Sequence, residues 1–132
     1  MKLNSNSTHL NISDTTLFEK LCVIENFKLI MPENISKFEI LNQSTLIFSL
    51  KGMPSIKLIF GEKQSPSLIT LNSSESKINF SLTAHIKKSD DNSCEFSLEF
   101  NGNLNPMIQM MVKTPLQSFI NDLSKNTSKL TL

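Results

Sequence analysis

Apolar residues recur along this chain in two rhythms, one helical and one alternating, and the change of rhythm marks the elements. Residues 2–12 are polar except for Leu3, Leu10 and Ile12 and predict an edge strand. Ser13 then suits a helix N-cap, with Asp14 in the first turn where a negative charge complements the helix dipole. Ile12 and Leu17 flank that start as a hydrophobic staple. Leu17, Phe18, Leu21, Cys22 and Ile24 continue at helical spacing, and a second short helix over Glu25–Ile30 is stopped by Met31-Pro32.

Beyond Pro32 the period becomes two. Phe38 and Ile40 alternate with Lys37 and Glu39, and Leu46, Phe48 and Leu50 alternate with Thr45, Ile47 and Ser49. Lys51-Gly52-Met53-Pro54 turns the chain into Ile56, Leu58 and Phe60, and Gln64–Ser67 turns it again into Leu68–Asn72. The clearest strand is 77–87, with Ile78, Phe80, Leu82, Ala84 and Ile86 on one face and Lys77, Asn79, Ser81, Thr83, His85 and Lys87 on the other. After Ser89–Asn92 the strand 93–101 points Cys94, Phe96, Leu98 and Phe100 inward. Hairpin connections between such strands predict an antiparallel sheet with one dry and one wet face.

The last element returns to the helical period. Asn105 caps it and Pro106 occupies the first position, where the missing N–H costs nothing. Ile108, Met111, Val112, Pro115, Leu116, Phe119 and Leu123 form its apolar stripe, opposite Gln109, Lys113, Gln117 and Asn121. Pro115 predicts a bend near 111–115, and the polar tail after Lys125 predicts fraying. Only the segment 105–124 is long enough to cover the dry face of the sheet. The expected class is therefore α+β: a curved antiparallel sheet wrapped around one long C-terminal helix, with two short helices after the first strand. Residues 1–132 read as a single domain without repeats or linkers.

Composition narrows the function classes. Net charge is +1, from 13 basic and 12 acidic residues, which gives no electrostatic footprint for nucleic acid. Every basic residue is lysine, so the bidentate fork that reads phosphate or guanine is missing. Mean hydropathy is −0.11, and no run approaches the ~20 apolar residues that would span a bilayer. The polar start Met1–Asn6 lacks the apolar run of a secretion signal, so a cytoplasmic location is the default expectation. Cys22 and Cys94 lie far apart among apolar residues and read as buried free thiols.

Three segments carry a family resemblance: Glu25-Asn26-Phe27 through Leu29-Ile30-Met31-Pro32; Lys51-Gly52-Met53; and Asn103-Leu104-Asn105-Pro106-Met107 with Met110-Met111-Val112-Lys113 and Pro115-Leu116. With them the chain resembles the START-like, or SRPBCC, superfamily of helix-grip proteins, and within it the small stand-alone bacterial members called polyketide-cyclase-like. The resemblance implies the fold and a tendency to hold an apolar or amphipathic molecule, such as a lipid, between sheet and helix. It implies no reaction, because the superfamily includes cyclases, hydrolases, lipid carriers and co-chaperone domains. The side chains expected to line that cavity are Phe38, Phe48, Leu58, Phe60, Phe80, Leu82, Phe96 and Leu98 from strands, and Met107, Met111, Pro115 and Phe119 from the helix. Gly61 departs from the subgroup, which carries a branched residue there, and predicts a bulge or sharp bend.

Catalytic chemistry finds no foothold. In the three clearest strands the inward set contains neither acid nor base. His85 falls on the wet face, His9 sits in a polar strand, and Glu39 and Asn72 belong to strands of looser register. No histidine–cysteine spacing suits a metal, and Glu95 with Glu99 reads as a solvated pair. No catalytic residue, metal or cofactor is therefore expected. Met111 is read as core beside Phe119; Met110 could line a pocket mouth or a dimer contact, with packing under the 25–34 segment the preferred reading. Three functional readings follow, in order: a binding module for an apolar molecule, a protein-interaction domain with a filled core, and an enzyme of cyclase or hydrolase type.

Overall fold

The computed structural model of this chain describes residues 1–74 and 78–131. Among the described residues eight strands form one antiparallel sheet: β1 (Lys2–Asn4), β2 (Thr8–Leu10), β3 (Ile35–Asn42), β4 (Thr45–Leu50), β5 (Ile56–Gln64), β6 (Leu68–Ser74), β7 (Phe80–Asp90) and β8 (Ser93–Gly102). Their order is β1-β8-β7-β6-β5-β4-β3, with β2 also on β8. Helices α1 (Asp14–Leu21) and α2 (Phe27–Ile30) follow β2, separated by a 3₁₀ turn at Ile24–Asn26, and α3 (Pro106–Asn126) closes the chain with a second 3₁₀ turn over Thr127–Thr131.

The expected edge strand over 2–12 is two short strands on one neighbour. Ser5 interrupts the ladder, yet its N–H donates to Leu98 O and its Oγ accepts from Leu98 N, both at 2.8 Å, so Leu98 keeps partners for its N–H and C=O there. Both helix starts are capped as their sequences predict: Thr16 N donates to Ser13 Oγ at 3.2 Å, and Ile108 N donates to Asn105 Oδ1 at 2.9 Å. The β5–β6 ladder slips between Phe60 and Lys63, at the position where Gly61 predicts a bulge. Strand β7 starts at Phe80, later than expected, and Lys77 lies outside the described residues.

Helix α3 covers the dry face. Phe119 is buried and stacks on Phe48 of β4 with ring centroids 4.8 Å apart and planes 8° apart. The register of the helix differs from the expected stripe, however. Its buried residues are Val112, Leu116, Phe119, Ile120, Leu123 and Ser124. Ile120 belongs to the core, and Met111 does not. At about 100° per residue, Met107, Met110 and Met111 project roughly 180°, 120° and 140° away from Leu116. They are 73%, 85% and 72% exposed. Nor can Met110 pack under the 25–34 segment: Asn126, at the far end of α3, is the residue that donates to Ile30 O, at 3.0 Å. Sixteen helical residues, about 24 Å, separate the two.

The C-terminal tail docks where fraying was expected. Thr127 and Leu130 are buried, and Thr127 Oγ1 donates to Ser124 O. Ser124 Oγ in turn donates to Asn6 O at 2.8 Å and lies 3.0 Å from Thr8 Oγ1. The tail's own hydroxyls are satisfied within it: Ser128 Oγ donates to Lys125 O and Thr131 Oγ1 to Ser128 O.

Candidate functional site

Three layers meet in one apolar seam. The sheet contributes Leu58, Ile69, Leu71, Leu82, Ala84, Phe96 and Leu98, the α1–α2 segment Leu21, Phe27, Ile30 and Met31, and helix α3 Phe119 and Leu123. Every lining residue is apolar. The free space enclosed is about 20 Å³, room for roughly one water molecule, against the ~300 Å³ or more of an ordinary ligand pocket. The seam is thus nearly filled in this conformation.

Of the residues expected to line a cavity, Leu58, Leu82, Phe96, Leu98 and Phe119 converge on the seam. Phe48 is buried against Phe119, outside the lining. Phe80 is buried against Phe100, their centroids 4.8 Å apart. Phe60 is half-buried, meets Phe27 edge-on at 5.9 Å and carries Lys63 Nζ 4.1 Å above its ring. Phe38 is half-buried on the outermost strand, and Pro115 is half-buried on α3. Met107 and Met111 do not reach the seam, because the helix turns them to the side opposite its buried stripe. Ile69, Leu71 and Ala84 share the dry face, where alternation alone locates them. Phe27, Ile30 and Met31 could not be assigned from sequence, since nothing in a short helical run says which layer it covers.

Titratable groups sit outside this seam. His85 and His9 side chains are 45% and 51% exposed, and Glu39 and Asn72 are exposed. Glu95 holds His9 Nδ1 at 2.6 Å through Oε1 and accepts from Ser7 Oγ at 3.2 Å through Oε2. The hydrogen bond from His9 holds the Glu95 carboxyl below its ordinary value, with Ser7 adding to it against partial desolvation. This serine–carboxylate–histidine order puts the carboxylate in the middle, so the imidazole does not contact the hydroxyl and cannot activate it. Burial pushes the Cys22 and Cys94 thiols up, which keeps them protonated and poor nucleophiles. Among the described residues no three potential ligands cluster for a metal, and every buried side-chain polar atom has a partner. No helix among them is long and apolar enough to cross a membrane.

No protein-family profile and no curated protein matches the chain. Solved structures do. Truncated norcoclaurine synthase from Thalictrum flavum superposes with a TM-score of 0.77 at 16% identity, over 100% of this chain and 93% of that one. The same enzyme in complex with dopamine and hydroxybenzaldehyde gives 0.76 at 15% identity, over 98% and 85%. A START superfamily protein from Mycobacterium smegmatis gives 0.69 at 13% identity, over 98% and 99%. Identities this low carry the fold and no activity. The long helix gripped by a curved antiparallel sheet, the two short helices after the first strands and these superpositions together establish that the chain is built on the START-like helix-grip fold.

Proposed function

We propose that residues 1–132 form one non-catalytic binding unit that takes a slender apolar molecule into the seam between the sheet, the α1–α2 segment and α3. The observation that carries this reading is the lining itself: thirteen side chains from three layers converge, all apolar, around a residual gap. A filled seam admits a guest only by moving a wall, and the α1–α2 segment is the wall best able to move. Its helices have eight and four residues, too short to persist without packing. Norcoclaurine synthase, of the same fold, holds two small aromatic molecules, which supports the fold's capacity to house a guest. Among the described residues no acid or base lines the seam, which argues against adopting that protein's chemistry here.

The experiment uses 1-anilinonaphthalene-8-sulfonate as probe, competed by fatty acids, alongside solvent extraction and mass spectrometry of purified protein. Saturable probe fluorescence displaced by fatty acid is expected. Ala84→Met, which fills the gap from β7, should weaken binding on the order of tenfold while the protein remains folded. No saturable binding, or binding indifferent to Ala84→Met, would sink the proposal. A second reading, a protein-contacting domain with a filled core, draws on the exposed Met107, Met110 and Met111 face of α3. It gains if the seam proves closed to every probe.

A further inference from the structure

We propose that two copies of this chain associate through β3, antiparallel and edge to edge, about a twofold axis at Phe38. This rests on the edge strand alone and is independent of any guest in the seam. Strand β3 ends the sheet order, paired with β4 on one side and with no other strand among the described residues on its second side. Its eight residues make it a long edge, and an open edge presents unpaired N–H and C=O groups ready for another strand.

The charges on that edge have no complement among the described residues. Lys37 and Glu39 are exposed on the same face, opposite Ser49 and Ile47 of β4. Neither forms an ion pair among the described residues. Antiparallel pairing centred on Phe38 places Lys37 opposite Glu39 of the second copy, and Glu39 opposite its Lys37. It also sets Phe38 against Phe38 and Ser36 against Ile40, covering the half-exposed flanks of Phe38 and Ile40. Shifting the axis by one residue toward the N-terminus opposes lysine with lysine, and shifting it the other way opposes glutamate with glutamate. Like charges directly opposite are destabilising, so the pattern selects one register. Ladder irregularities at Ile35/Lys37 and Ile40/Asn42 leave Lys37–Ile40 as the regular stretch, which holds the charged pair and Phe38. The pairing is isologous and closed, which gives a dimer and not a fibre.

Sedimentation velocity distinguishes the 14.9 kDa monomer from a species of twice that mass. Reversible dimer is expected for the natural sequence. Lys37→Glu alone and Glu39→Lys alone each create two like-charge oppositions and should weaken association by roughly tenfold or more. The double change Lys37→Glu/Glu39→Lys restores complementarity and should return the dimer. Circular dichroism melts confirm that each variant is folded. A natural sequence that stays monomeric up to millimolar concentration overturns the proposal, as does a dimer that ignores the single reversals or is not restored by the double one.

Discussion

At the residue scale, two of the three glycines test how tightly the inner and outer faces of the sheet are packed. A Cβ on Gly102 would stand 3.0 and 3.1 Å from ring atoms of Phe100 and 3.1 Å from Phe80 Cβ. Those two rings stack on each other and both are buried, so neither can withdraw without losing the stack. A Cβ on Gly61 would stand 2.4 Å from Asn72 Nδ2, a shorter contact. The distances alone would rank Gly61 as the worse site, but Nδ2 is the tip of an exposed side chain that can turn into water. We therefore expect Gly102→Ala to cost about 1–3 kcal/mol and Gly61→Ala less than about 1 kcal/mol, read from urea midpoints. Equal costs would mean that the Phe80–Phe100 stack yields more readily than its burial implies.

At the element scale, β2 is tied to β8 by Glu95, which bonds His9 of β2 and Ser7 just before it. The bond from His9 depresses the Glu95 carboxyl below 4.5, its ordinary value. For a depressed carboxylate the sign is fixed: its contribution is complete above the unfolded-state value and is lost as pH falls through the lower folded-state value. Glu95→Gln should thus be less stable than the natural sequence at neutral pH, and the gap in urea midpoint should close as the solution is acidified. A gap that is constant with pH would assign the effect to packing and not to charge. The legibility of the elements divides on the same physics. Alternation located the dry faces of β7 and β8 because a period of two leaves no phase to choose once one face is buried. Helix α3 was legible in existence, cap and extent, but its stripe was mis-phased toward Met111. Apolar residues on adjacent faces at its N-terminal half, Ile108 with Met107, Met110 and Met111, offer two stripes, and only the position of the sheet decides between them. The docking of Thr127–Thr131 was illegible for a related reason: it packs against β2 and α2, which lie near the other end of the sequence.

At the scale of the whole molecule, the parts of the seam wall are unequally anchored, and that inequality sets where the protein can open. Strands β7 and β8 pair over nearly their full length, from Phe80 opposite Gly102 to Asp90 opposite Ser93. Helix α3 adds the Phe48–Phe119 stack and its ties to the N-terminal segment. By contrast the α1–α2 segment lies outside the sheet ladder. Its contribution to the seam is the packing of Leu21, Phe27, Ile30 and Met31, with a polar tie from Asn126 to Ile30 O. Hydrogen bonds inside helices of four and eight residues do not outlast the loss of such packing. Amides in residues 17–31 should therefore exchange with solvent through a local opening, at least about tenfold faster than the slowest amides of β7 and β8, which await global unfolding. A bound apolar molecule packs against this segment in its folded, displaced position and not when it is unfolded, so saturating probe should slow exchange there more than in the sheet. Protection equal to that of β7 and β8 would mean the wall moves only when everything does. The seam would then have no way in, and a function carried by the outer surface would be the reading left standing.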